Sequence, residues 1–147
     1  MKTPSRRVIL SIIGMTALVG LSACQPRATP PESGELVACA GRFEATVRQG
    51  PSAGLSLVGQ LVVRVAPSGR ANAVLTLRDG SEINATGQVN GQAINLIFLV
   101  RPDTYIFGVG TLQRDVRECE GVWGGPFVGP ELGDIGDWLG TNIRPMS

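Results

Sequence analysis

The stretch that decides the fold runs from Leu55 to Val109, LSLVGQLVVRVAPSGRANAVLTLRDGSEINATGQVNGQAINLIFLVRPDTYIFGV. Apolar residues recur at every second position and turn residues fall at regular intervals, the pattern of half-buried β-strands joined by short loops. Facing residues in a hairpin must lie on one side of the sheet, so each loop can be tested for parity. A three-residue Pro67-Ser68-Gly69 loop sets Val63 opposite Ala73 and Leu61 opposite Leu75, and leaves Gly69 at the left-handed position such a loop needs. Arg78-Asp79-Gly80 likewise sets Leu75 opposite Ile83, whereas a two-residue Asp-Gly turn would bring Leu77 against Glu82. Asn90-Gly91 as a two-residue turn brings Ala85 opposite Leu96 and Ile83 opposite Phe98. A four-residue loop from Arg101 to Thr104 then sets Phe98 opposite Phe107 and Leu96 opposite Val109.

Four successive loops agree on one buried face, so the chain reads as an all-β antiparallel meander. A strand from Gly41 to Arg48 precedes it, with Phe43, Ala45 and Val47 inward, and a seventh around Val116 to Trp123 follows. About seven or eight strands whose first and last members are drawn together make a small closed or nearly closed barrel, because closure removes exposed edges. An open sheet or flattened sandwich is the alternative. Ile97, Leu99, Ile106 and Leu112 fall on the outer face in this register, and something must cover them. Trp138 is the large apolar group downstream expected to do so or to cap a barrel end. The architecture is similar to the lipocalin and avidin barrels, without a motif of either.

Upstream, Lys2, Arg6 and Arg7 precede fourteen apolar or small residues from Val8 to Leu21, followed by Leu21-Ser22-Ala23-Cys24. This is the basic start, short apolar middle and small-residue exit of a secretory signal, too short for the ~20 residues a bilayer helix requires. The last four residues resemble the lipobox of bacterial lipoproteins. That resemblance implies a diacylglycerol on the Cys24 thiol, cleavage after Ala23, acylation (palmitate or a similar chain) of the new amino end, and attachment to the cell membrane or outer membrane on its extracytoplasmic face. Gln25 stands where that family places Asp for inner-membrane retention, which favours the outer membrane in a diderm host. Ser5-Arg6-Arg7-Val8-Ile9-Leu10 also resembles the twin-arginine export signal. The organisation read from sequence is thus a signal peptide over 1–23, a lipidated Cys and Pro-rich tether over 24–36, a β-meander over 37–128 and a Gly/Trp-rich C-terminal strap over 129–147.

Without residues 1–23, ten arginines face twelve acids. A balance so near neutral argues against nucleic acid and against a polybasic membrane patch. Two cysteines remain besides Cys24. Cys39 and Cys119 lie near the two ends of the β-rich region, in an oxidising compartment, and are expected to form one disulfide. Buried free thiols or a thiolate metal pair are the competing readings, and no His exists to complete the latter.

The search for chemistry gives neither catalytic residues nor a cofactor. The chain has no His and no Gly-x-Ser-x-Gly elbow, and no inward pair of carboxylates can be placed on the meander; Glu118 and Glu120 alternate on one strand opposite Cys119 and read as an exposed strand edge. Gly108-x-Gly110 lies inside a strand with no helix after it, so it reads as close packing or a bend. The segment Gly121 to Gly140, GVWGGPFVGPELGDIGDWLG, carries Trp123, Trp138, Glu131, Asp134 and Asp137. These are the candidate binding residues, as a ligand- or calcium-gripping loop; the competing reading is a cover that buries Trp138 and turns its acids to water. Two function classes remain, with an enzyme as a third behind them: a non-catalytic module that binds an envelope protein or surface polymer, and a carrier of a small or hydrophobic molecule. Lysozyme-inhibitor lipoproteins are similar in size, anchor and β content. Cys24→Ser is expected to abolish acylation and leave the precursor unprocessed, measured by mass spectrometry of the membrane fraction; a mature wild-type chain without bound lipid would refute the lipobox reading.

Overall fold

The computed structural model describes residues 34–146. The proposed signal peptide, Cys24 and nearly all of the tether lie outside the described residues. Eight antiparallel strands close into a barrel in simple sequence order: β1 (Val37–Gln49), β2 (Ser56–Val65), β3 (Arg70–Leu77), β4 (Glu82–Asn90), β5 (Ala93–Arg101), β6 (Thr104–Leu112), β7 (Trp123–Val128) and β8 (Ile135–Pro145). All eight strands, the core and a disulfide lie within residues 37–145, so the folding unit is contained there.

The first two loop assignments are observed as read. Leu61 pairs with Leu75, Val63 with Ala73, and Leu75 with Ile83. The β4–β5 turn differs by one residue at its tip. Asn90 pairs with Ala93 around Gly91-Gln92, so Ala85 faces Phe98 and Gly87 faces Leu96. Gly91 takes φ +60°, placing glycine at the first central position of the turn, and because the loop remains even the buried face is unchanged.

The β5–β6 hairpin departs more deeply. Arg101 pairs with Thr104 around Pro102-Asp103, and the register then shifts between Leu99 and Arg101, leaving Val100 as a bulge on β5. One extra residue on one strand reverses parity, and a one-residue slip turns a whole strand over. Phe98 therefore faces Ile106 and Leu96 faces Gly108, instead of Phe107 and Val109. Leu112 is fully buried and Ile106 packs on the core, while Tyr105, Phe107 and Val109 point outward.

The C-terminal region also differs from a covering strap. Residues 116–118 form a short 3₁₀ turn rather than a seventh strand, with Asp115 accepting from the Arg117 amide and Cys119 in a left-handed conformation at its end. β7 begins at Trp123. The segment expected as the strap supplies β8, which pairs with β7 on one side and with β1 on the other and closes the sheet.

The barrel has two unlike poles. At one lie the chain's approach to β1, the end of β8, the β2–β3, β4–β5 and β6–β7 loops, and the 3₁₀ turn, plugged by Val116, Leu112, Trp123 and the Cys39–Cys119 disulfide. The opposite pole, ringed by the β1–β2, β3–β4, β5–β6 and β7–β8 loops, is open. The cysteine Cα atoms are 5.3 Å apart across a sequence separation of 80, so the bridge ties β1 to the plug. A loop of this length restricts the unfolded chain by ~4–5 kcal/mol in the chain-entropy account. Reduction is accordingly expected to lower the Tm by about 10–20 °C in calorimetry, and non-reducing peptide mapping to yield this one cross-linked pair.

Candidate functional site

Two surfaces distinguish this barrel. The first is the open pole. The strand ends there present Leu57 from β2, Val100 from the β5 bulge and Ile106 from β6, joined by Leu55 and Pro130 from the adjoining loops. They surround a cavity of about 70 Å³ whose floor is aromatic. Phe43 lies between Phe98, with ring centroids 5.5 Å apart, and Trp138, at 5.9 Å in a stacked arrangement.

Trp138 is 4% exposed, buried inside the barrel instead of lying over the outer stripe. Its place is prepared by Gly108-Val109-Gly110. A methyl on Gly110 would stand 2.5 Å from the indole Cζ2 and one on Gly108 3.2 Å from Nε1. The carbonyl of Val109, between the two glycines, accepts from the Trp138 Nε1 at 3.0 Å. The glycine pair is thus close packing, as its position within a strand implied. Truncating so large a buried aromatic costs ~3–5 kcal/mol. Trp123 is also buried, at the closed pole, and its indole N–H meets no acceptor among the described residues.

The acids of the Gly/Trp-rich segment do not converge. Glu131 pairs with Arg101 and Asp137 with Arg48 on the surface. Asp134 departs from the expectation that it would face water: it is 1% exposed. One carboxylate oxygen accepts from the Ser52 amide at 2.8 Å and the other from the Glu131 amide at 3.0 Å. It therefore pins the β1–β2 loop to the β7–β8 loop at the rim of the mouth. Burial pushes this carboxyl up, but the hydrogen bonds from Ser52 and Glu131 outweigh it and hold the group below the ordinary Asp range. Among the described residues, no three His, Cys, Asp or Glu side chains gather as a metal site.

The second surface is on the outside. The outer faces of β1 to β4 carry polar side chains including Arg42, Glu44, Asn72, Glu82, Asn84 and Gln88. Across β5 to β8 the same face is apolar. Ile97 lies directly opposite Phe107, Phe107 opposite Val128, and Val128 opposite Ile135, an exposed row crossing four adjacent strands. Leu99, Tyr105 and Val109 widen it. The sequence pointed to an uncovered stripe containing Ile97 and Leu99, but the bulge that turns β6 over was needed to find its other members.

No protein-family model and no curated protein matches the chain.

The Asp134 geometry has a pH consequence. Because its folded pKa is lowered, its contribution to stability is fully present above the unfolded value near 3.9 and is lost as the pH falls through the lower folded value. Asp134→Asn places an NH₂ against a backbone N–H, so it is expected to lower the Tm at pH 7 and to flatten the fall in Tm between about pH 5 and pH 2; thermal scans across that range check both.

Proposed function

We infer that the chain is a lipid-anchored, non-catalytic binding module of the bacterial cell envelope that docks a protein partner on the outer face of β5 to β8. The observation that carries this reading is the exposed Ile97–Phe107–Val128–Ile135 row set against a polar opposite half. The patch presents on the order of 600 Å² of surface, the upper end of what a monomer exposes and close to one side of a standard protein interface. The charges of Asp137 and Glu131 beside it are balanced by the ion pairs with Arg48 and Arg101. With ten arginines against twelve acids after residue 23, the chain has little attraction for an anionic bilayer, so a protein surface with an apolar centre and polar rim is the complementary partner.

The lipobox resemblance and a tether lacking apolar periodicity support the anchor. Twelve residues separate Cys24 from Val37, and the chain between them spans at most about 45 Å. The tether joins the barrel at the closed pole, which leaves the open pole at the far end and the apolar face along the side. The absence of His from the sequence and the engagement of Glu131, Asp134 and Asp137 with arginines and backbone amides support a non-catalytic role. The open aromatic-floored cavity favours a second reading, a barrel that receives an apolar small molecule, since barrel mouths are common ligand sites.

In cells, a photoreactive residue at Phe107 is expected to give a cross-linked species of one defined mass that is lost on Val128→Glu and absent when the probe stands at Asn84 on the polar half. Sedimentation of the purified chain distinguishes a second copy from a different protein. Equal labelling from both faces, or none from either, would refute the docking reading.

A further inference from the structure

The mouth of the barrel is a cavity for which the outer face has no use. Its wall is hydrocarbon throughout, from Leu57 and Val100 at the rim to Ala45, Phe98 and Trp138 below. The one polar atom of that floor, Trp138 Nε1, is already spent on the carbonyl of Val109. A ligand entering here finds no donor or acceptor, so the part that enters must be apolar and any polar group must remain outside. Size narrows the choice further. The space is about 70 Å³, less than half the ~150 Å³ of an engineered apolar cavity that admits benzene. A benzene ring does not fit wholly within that volume, whereas the end of an unbranched chain does. Depth is limited as well: the Phe43–Phe98–Trp138 cluster forms a solid floor, and beneath it Leu61, Leu75 and Leu96 leave the interior filled. The chain must therefore enter end first, with only its last few carbons inside and the remainder passing out over Leu55 and Pro130.

We propose that the open pole binds the methyl end of a linear saturated hydrocarbon chain. The rim is built to hold that opening in shape. Asp134 fixes the two loops that contribute Leu55 and Pro130, and the β5 bulge aims Val100 at the space between them. Ala45 lies opposite Trp138 and Leu57 on the neighbouring strands and is the small residue that leaves room on that side of the floor. A free fatty acid and the acyl chain of a membrane lipid share this chemistry. The proposal stands apart from docking on β5 to β8, and either can fail without the other.

The test uses the chain from residue 24 with Cys24→Ser, so that no acyl group of its own competes. Decanoate, kept below its micellar concentration, is titrated in while tryptophan fluorescence and Tm are followed. Saturable one-to-one binding with a raised Tm is expected, with benzene failing to compete. Ala45→Val, which adds two methyl groups to the cavity, is expected to weaken decanoate binding at least tenfold without lowering Tm. Ile106→Ala, which enlarges the space, is expected to gain benzene binding, and so tests the site by a change in the opposite direction. Phe107→Glu on the outer face should leave decanoate affinity unchanged. Incubation with dipalmitoylphosphatidylcholine vesicles followed by flotation and mass spectrometry separates the sources: lipid retained by the protein identifies a membrane acyl chain, and binding of decanoate alone identifies a free one. Absence of saturable binding to either, or decanoate affinity untouched by both cavity variants, would overturn the proposal.

Discussion

The β-bulge at Val100 is the constraint on which the rest of the structure depends. By inserting one unpaired residue into β5, it reverses the facing of every side chain on β6. Ile106 and Leu112 turn inward to complete the core. Gly108 and Gly110 come to the interior with them, and the space they leave is what admits the indole of Trp138. Tyr105, Phe107 and Val109 are displaced to the outside by the same slip, and there they join Ile97, Val128 and Ile135. A single backbone irregularity thus produces the aromatic floor of the mouth and the apolar face beside it. In the unbulged register, Phe107 and Val109 would compete with Trp138 for the interior.

Much of the fold was legible because strand periodicity and loop parity are local properties. The Pro67-Ser68-Gly69 and Arg78-Asp79-Gly80 loops fix their registers through glycines at left-handed positions, and those registers are the ones observed. At Asn90-Gly91 parity was enough to find the buried face, although the tip moved by a residue. The β5–β6 hairpin was not readable in this way. Both faces of β6 carry apolar residues, so hydrophobic pattern does not choose between them, and a bulge leaves no compositional mark at Val100. Only the filling of the interior by Trp138, from a strand some thirty residues later, selects the register.

The C-terminal segment was misleading for a related reason. Seen locally, GVWGGPFVGPELGDIGDWLG has the glycine content of a loop. Its glycines in β7 and β8 are instead required where strands and Trp138 approach closely, so composition reports tertiary packing rather than irregular backbone. Among its acids, Asp134 was indistinguishable in sequence from Glu131 and Asp137. What separates them is the meeting of two loops, a distance of more than eighty residues along the chain from Ser52. The poles follow the same logic: the disulfide and the 3₁₀ turn seal one end, while the other is held open by a carboxylate and four short loops.

Closure by β8 also orders the protein's life history. The first strand is made long before its partner: Thr46 must wait for Asp137, and Cys39 for Pro145. Cys119 emerges earlier than β7 and β8, so the covalent link can form while the sheet is still incomplete. Until β8 is in place, β1 and the growing edge of the sheet both present unpaired amides and carbonyls above an uncovered interior, the combination that recruits other chains into aggregates. A chain lacking β8 would remain in that condition. The closing strand therefore decides exposure, since only a chain that has docked β8 between β7 and β1 conceals the edges that proteases and chaperones recognise.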